Sequence, residues 1–231
     1  MKIRFAAFSL LFAAGCVFSA FSGDVATFVN LGFSEDSGHF MFGFHGIDGD
    51  TEKPYAEVYT VDVKANSFVS GGTAREAFEE RLQPGQDSSG ALYALLEKNT
   101  QLIQKYRIKH LRQGRLLYIL LNGDSMKENL EFRDFNTQSR YSVQLAQRST
   151  GSGAQVKSVF HITITIKQAS GSSRSYTLGR PDYYREKVMG YRIRQIFLSP
   201  DERHLVCVVE RDEYSPSGKS VRYMVETVKL D

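Results

Sequence analysis

The sequence predicts a mainly β protein, an antiparallel propeller-blade-like meander or sandwich with a helical segment inserted near residues 73–107. Three observations carry that expectation. Short apolar runs of period-two alternation recur between turn signals. A single stretch places its apolar residues at helical spacing. Two segments 165 residues apart share one strand-turn-strand pattern.

Taken in order, the chain opens with Lys2 and Arg4 ahead of an apolar run from Phe5 to Phe18, too short for a comfortable bilayer span and closed by small residues. That is the layout of a secretory signal peptide. Ala20 and Ser22 stand at the −3 and −1 positions of a cut before Gly23, so residues 1–22 are expected to be removed and 23–231 to form one β-rich domain. The alternative treats Ala13-Ala14-Gly15-Cys16 as a lipobox in which Cys16 is acylated, although a bulky aliphatic residue is usual where Ala13 stands. Either route leads to an exported protein, periplasmic or secreted, or lipid-anchored through Cys16. The mature chain carries no expected transmembrane helix. Export also removes nucleic acid from the expected partners.

Thr73-Ala74-Arg75-Glu76 has the form of a capping box, predicting a helix from Ala74 that Pro84-Gly85 stops. A second start at Ser88-Ser89 precedes Leu92, Leu95, Leu96, Leu102, Ile103 and Tyr106, which keep one helix face apolar for about four turns. That face is expected to pack on a sheet. Beyond it the chain reads as strand: Leu116 to Leu121, Asn129 to Phe132, Tyr141 to Ala146, Phe160 to Ile166, Ser175 to Leu178, Tyr191 to Leu198, Leu205 to Val209 and Val221 to Leu230. Ala169-Ser170-Gly171-Ser172 supplies a turn, and Ser149 to Gly153 reads as a loop.

With 42% apolar and 24% charged residues, the composition excludes a disordered or collagen-like chain. The net charge of +3 suggests a polyanion binder, but removing Lys2 and Arg4 leaves only +1. What remains is divided: residues 23–80 hold 11 acids and three bases, while residues 81–231 hold 24 bases and 15 acids, so the two parts should attract each other. The densest basic run, Arg107 to Arg115, reads as a solvated helix end. After cleavage Cys207 is the sole thiol. It lies in the apolar run Leu205 to Val209 and reads as a small buried hydrophobe.

Residues 31–64 and 196–229 align without a gap, pairing Phe33 with Leu198, Ser34 with Ser199, Asp36 with Asp201, His39 with His204 and Phe42 with Cys207. Asp36 and Asp201 can each accept backbone amides inside the turn, a structural role that fixes the strand reversal. Phe33-Ser34-Glu35-Asp36 and Leu198-Ser199-Pro200-Asp201 resemble the Phe-Ser-Pro-Asp-Gly turn of the β-propeller repeats in periplasmic TolB-like proteins, with Tyr55 to Val63 resembling the next strand of a blade. Glu35 replaces the usual proline, and neither copy has glycine directly after the aspartate. A closed propeller also needs at least four blades where two copies are visible.

A broader resemblance covers nearly all the mature chain. Gly23-Asp24-Val25-Ala26 leading to Asn30-Leu31-Gly32-Phe33-Ser34, then Pro54-Tyr55-Ala56-Glu57, Asp62 with Asn66, and Val221 to Thr227 are similar to an uncharacterised bacterial family of predicted secreted proteins, domain of unknown function 2259. The resemblance implies export and a β-rich fold and brings no activity.

Candidate chemistry is sparse. His39, His45, Asp48, Asp50 and Glu52 gather metal-ligand types, but Lys53 replaces the glycine of a calcium loop and Tyr59 its bidentate glutamate. No metal or cofactor is expected. Gly218-Lys219-Ser220 resembles the end of a phosphate loop, yet Glu213 stands at the first glycine and the segment joins two strands, so it reads as a hairpin turn. Arg180, Tyr183, Tyr184, Arg185, Tyr191 and Arg192 combine the two residue types that dominate interface hot spots. These readings lead to an exported, non-catalytic binding or scaffold protein of the bacterial cell envelope, meeting a protein partner through edge strands or the Tyr/Arg cluster. Two alternatives are a hydrolase with a dispersed site around His39, Asp48 and Asp50, and a structural lipoprotein held by Cys16.

Overall fold

A computed structural model describes residues 24–83, 85–216 and 218–230. The leader, its cut between Ser22 and Gly23, and Cys16 lie outside the described residues. In chain order the elements are β1 (Thr27–Ser34), β2 (His39–Ile47), β3 (Pro54–Asp62), β4 (Ser67–Ala77), α1 (Ser89–Lys98), α2 (Thr100–Lys105), β5 (Ile108–Lys109), β6 (Arg115–Ile119), β7 (Asn129–Arg133), β8 (Arg140–Thr150), β9 (Lys157–Lys167), β10 (Ser173–Glu186), β11 (Val188–Leu198), β12 (His204–Ser215) and β13 (Gly218–Lys229). They form three antiparallel sheets in the orders β4-β3-β2-β1-β5, β13-β12-β11-β6 and β10-β9-β8-β7. The last is a complete meander inserted between β6 and β11, the first two strands of the second sheet. The mainly β class expected from the alternation is the class observed.

The second sheet is central and buried on both sides. Along β12, Leu205, Cys207 and Val209 enter one core with Val143, Leu145, Ile162 and Ile164 of the meander, whereas Val206 and Val208 enter another with Phe40, Phe42 and Phe44 of the first sheet. That double burial is why Leu205 to Val209 reads as an unbroken apolar run instead of alternating. The middle strands of the first sheet are also buried on both faces, whereas β8 and the second half of β9 in the meander alternate. Met41, Ala56 and Val58, on the back of the first sheet, meet Ala91, Leu92 and Leu95 of α1. Gly43 makes that approach possible, since a Cβ there would sit 3.0 Å from Leu92 Cδ1 and 2.9 Å from the Glu57 carbonyl oxygen.

The internal repeat appears as two equivalent hairpins. Phe33 faces Phe40 in one and Leu198 faces Leu205 in the other. Ser34 Oγ donates to Asp36 at 2.6 Å and accepts from the His39 amide at 2.8 Å; Ser199 Oγ donates to Asp201 at 2.5 Å and accepts from the His204 amide at 3.0 Å. The aspartates in turn accept the Gly38 and Arg203 amides at 3.0 and 3.2 Å. The Ser34 hydroxyl and the Gly38 amide hold the Asp36 carboxyl below its ordinary range. At Asp201 burial works the other way, and the bonds from Ser199 and Arg203 outweigh it. Equivalent faces also point the same way: Phe40, Phe42 and Phe44 cover the central sheet, while their counterparts Leu205, Cys207 and Val209 cover the meander. The sheets are therefore stacked head to tail, as successive blades would be. The described residues show no closed barrel or propeller, because one end of the stack is covered by α1 and the other presents Ser142, Gln144, Thr163 and Thr165, which no further sheet could pack dry.

Several local expectations are corrected. Thr73 to Ala77 belong to β4, not to a helix: Thr73 pairs with Tyr59, Arg75 with Glu57 and Glu76 with Ala56. A cap is worth about 1 kcal/mol, and the ladder on β3 supplies several backbone bonds in its place. The second helix start is where expected, but its apolar face is divided between α1 and α2 at Asn99. Asn99 Nδ2 donates to the Leu95 carbonyl at 2.8 Å and Thr100 Oγ1 to that of Glu97 at 2.8 Å, bonds that compete with helix continuation. Ser149 and Thr150 extend β8 and are not loop. The repeat's third strands are paired two residues out of step, His39 with Asp62 but His204 with Lys229, because β12 and β13 run on to a tight turn at Ser215 and Gly218.

Candidate functional site

One edge strand of each sheet, β4, β13 and β10, contributes residues to the same cleft. The cleft measures about 570 Å³; its wall includes Tyr59, Phe68, Tyr183 and Tyr223, and its charged residues are Arg75, Arg180, Arg185, Arg211 and Glu226. Four guanidinium groups thus face one carboxylate.

Each cation is held by its own fold element. Arg185 follows the stretch of β10 where pairing with β9 lapses between Arg180 and Arg185, which swings its side chain inward. Its guanidinium carbon lies 5.1 Å from the Phe160 ring, 5.1 Å from Tyr183 and 6.0 Å from Tyr191. Rings on three sides fix the head group without using its donors. The nearest carboxylate, Glu226, is at 3.8 Å, beyond hydrogen-bond distance, and Glu226 already accepts from Asn66 Nδ2 at 2.6 Å. Arg185 Nη1 and Arg211 Nε are buried with no hydrogen-bond partner within the protein. Arg211 otherwise pairs with Glu213 at 3.0 Å. At the rim, Arg75 bonds Glu57 at 3.0 Å and lies 5.3 Å from the centre of the Tyr59 ring, while Arg180 lies 5.9 Å from Tyr183. Burial, then the hydrogen bond to Glu57, pushes the Tyr59 phenol up, and burial pushes Tyr223 up to about 12. Both phenols stay neutral and spend their donors inside the protein, Tyr59 on Glu57 and Tyr223 on the Ala26 carbonyl at 3.2 Å, so the cleft meets their rings.

The Tyr/Arg cluster expected from the sequence is divided by strand geometry. Arg180, Tyr183 and Arg185 line the cleft. Tyr184 turns away, with Lys157 Nζ 5.8 Å from its ring. Tyr191 is core, its hydroxyl donating to the Ser158 carbonyl at 3.0 Å. Arg192 faces the other side of the central sheet, bonding Glu210 and, at 2.8 Å, Asp212. Sequence reasoning missed Tyr59, Phe68, Arg75, Arg211, Tyr223 and Glu226. They come from four different strands, and no spacing along the chain links them.

The His39 to Asp50 segment does not converge. His39 and His45 stand at opposite ends of β2, about 20 Å apart at strand rise. The His39 ring lies 4.8 Å from that of Tyr106, and His45 Nδ1 is bonded to Ser88 Oγ at 2.8 Å. Asp48 Oδ1 accepts the Thr51 amide at 2.8 Å and the Thr51 hydroxyl at 2.8 Å, so its carboxylate closes the loop. Among the described residues, no three His, Cys, Asp or Glu side chains gather to hold a metal. Cys207 is buried, and that burial pushes its thiol well above the ordinary range.

A second polar cluster sits at the start of the described chain. Tyr55 Oη donates to Asp24 Oδ1 at 2.7 Å, and Arg222 Nη2 closes on Asp24 Oδ2. The Val221 amide donates to the Asp24 carbonyl at 2.8 Å. Val25 pairs in parallel with Val221, so these residues occupy one end of the β13 edge.

The fold and cleft define a class: a stack of blade-like antiparallel sheets carrying a cationic, aromatic cleft along its edges. The chain belongs to the family described as predicted secreted protein (DUF2259), whose model matches residues 41–229. No curated protein sequence matches the chain. Among the described residues no helix is long and apolar enough to cross a membrane.

Proposed function

We propose that this protein is an exported, non-catalytic binding module of the bacterial cell envelope and that the cleft between β4, β13 and β10 is its binding surface. One observation carries the reading: Arg185 and Arg211 hold buried guanidinium donors with no acceptor in the protein, in a cleft walled by aromatic rings. An unsatisfied buried donor costs about 1–3 kcal/mol, and because both atoms are closed off from solvent an acceptor recovers that cost by displacing the groups that cover them. The leader and the family's description as secreted support an extracytoplasmic setting, and the arginine and tyrosine lining supports a protein partner.

The test is site-specific photocrosslinking in living cells, with p-benzoylphenylalanine placed at Tyr183 in the cleft and, separately, at Tyr93, exposed on α1. A discrete adduct is expected from position 183 and none from position 93. Equal adducts at both positions, or none at either, would overturn the reading.

A further inference from the structure

The cleft is lined by Tyr223, Met224, Val225 and Glu226, four consecutive residues of β13. Alternate side chains of a strand point to opposite faces, so a cavity that touches four in a row runs along the strand's edge and not over one face. That edge is engaged at both ends. At one end the Val221 amide donates to the Asp24 carbonyl at 2.8 Å and its carbonyl accepts from the Ala26 amide at 3.3 Å. At the other the Thr227 amide donates to Asn66 Oδ1 at 2.8 Å. In an antiparallel ladder every second residue turns its backbone groups away from its partner strand, so Tyr223 and Val225 turn theirs to the same side as Val221 and Thr227. Among the described residues no strand pairs there.

We propose that the cleft takes an extended acidic peptide segment of a partner as an added strand on β13, with a carboxylate seated between Arg185 and Arg211. This deepens the binding-module reading and rests on it. The stretch from Val221 to Thr227 spans about 20 Å at strand rise, so the open part admits a short segment of about four residues. Backbone bonds at Tyr223 and Val225 supply affinity independent of sequence, and the side chains supply the choice. With Arg75 and Arg211 paired to Glu57 and Glu213, Arg180 and Arg185 against Glu226 leave the cleft positive, which selects acidic residues and repels basic ones. Tyr59, Phe68 and Tyr183 offer contact for the intervening apolar residues. Arg185 lines the cleft, and the Phe160 and Tyr183 rings hold its fork in place before a carboxylate arrives.

The experiment uses the chain from Gly23 and fluorescein-labelled peptides of the form Gly-Glu-X-Glu-X-Glu-Gly, with X as Val, Tyr or Phe, read by anisotropy. Lys-for-Glu peptides, peptides N-methylated at alternate amides along one edge, and inorganic pyrophosphate serve as comparisons. At least one acidic peptide is expected to bind saturably, the basic peptides not to bind, and N-methylation along one edge to abolish binding. R185Q and R180Q are each expected to weaken it, R185Q at least tenfold, while R133Q on the exposed face of the meander leaves it unchanged; circular dichroism confirms that each variant is folded. Binding insensitive to N-methylation, or matched by pyrophosphate, would overturn the added strand in favour of a simple oxyanion site. If no peptide binds, the inference falls, whereas the binding-module reading stands or falls with the crosslink at position 183.

Discussion

Replacing Asp134 with Asn should cost about 2 kcal/mol at neutral pH, and the loss should fade in acid. Asp134 lies in the turn between β7 and β8 and is buried. Its oxygens accept Arg115 Nη1 and Nη2 at 2.7 and 3.0 Å, the Thr137 hydroxyl at 2.8 Å and the Asn136 amide at 3.0 Å. Arg115 begins β6 in the central sheet and also bonds Glu202 at 2.7 Å, in the turn between β11 and β12. The fork therefore ties the inserted meander to the sheet that it interrupts. Arg115, with burial opposing, holds the Asp134 carboxyl at about 2, against an ordinary 3.8. A folded-state pKa below the unfolded one stabilises at pH values above the unfolded pKa, and that stability is lost as pH falls through the folded pKa. The shift corresponds to about 2 kcal/mol at pH 7, falling to about 1 kcal/mol by pH 3. In the variant Arg115 keeps Glu202, so no buried charge is stranded. Urea unfolding of parent and D134N at intervals from pH 7 to pH 3 reads the difference directly. A difference under about 0.5 kcal/mol at pH 7, or one that does not shrink by pH 3, would refute the reasoning, since the titration of this carboxylate is the pH-dependent difference between the two chains, added to a pH-independent loss from setting an amide NH2 against donors.

Three further outcomes rest on the same geometry. Asp36→Ala and Asp201→Ala should each cost about 1 kcal/mol and add within error in the double variant, because equivalent turns in separate sheets share no partner; strong coupling in denaturant melts would count against two independent turns. Asp24→Ala should cost about 2 kcal/mol by leaving half-buried Arg222 without its carboxylate beside Tyr55, and a melting temperature equal to the parent's would show that the pair does not hold this end of β13 in solution. Cys207 in the chain from Gly23 should resist iodoacetamide at pH 8 until denaturant exposes it, since burial disfavours the thiolate; alkylation of the native protein at the rate of a free thiol would place Cys207 at the surface.

What the sequence made legible is what local physics determines. Period-two alternation located most strands, because a half-buried strand must alternate, and the unbroken run at Leu205 to Val209 marked the strand buried on both faces. The Ser-Asp turns were legible because their hydrogen bonds close within five residues of sequence. The capping box at Thr73 misled for the converse reason. Its helix signal is local, and the strand that replaced it depends on β3, whose partner residues lie up to 22 positions away, as in Tyr55 with Ala77. The Tyr/Arg cluster was half legible: the lapse in β10 pairing at Pro181 to Tyr184 brought Tyr183 and Arg185 to the cleft, but alternation along β11 sent Tyr191 to the core and Arg192 to the opposite face. Arg75, Arg211 and Glu226 reach the same cleft only through the stacking of three sheets, which no window of sequence contains.

The uneven charge along the chain acquires a physical meaning in this arrangement. The acidic part meets the basic remainder through Asp24 with Arg222, Glu35 with Lys109, and Glu76 with Lys98, as their opposite signs require. Those contacts lie at the start of β13, beside β5 and against α1, where the first sheet touches later parts of the chain. Arg180, Arg185 and Arg211 also belong to the basic part, yet they gather where β10 and β13 leave an edge, and the acidic segment sends only Arg75 to meet them. A chain whose charges served folding alone would place a carboxylate from its acidic part within reach of the buried Arg185 donor. Glu226 stops short at 3.8 Å, with one oxygen committed to Asn66. The unpaired donor therefore lowers the stability of the fold, as an unsatisfied buried polar group does, and the surplus of guanidinium groups at this edge is not consumed by pairing with the acidic part.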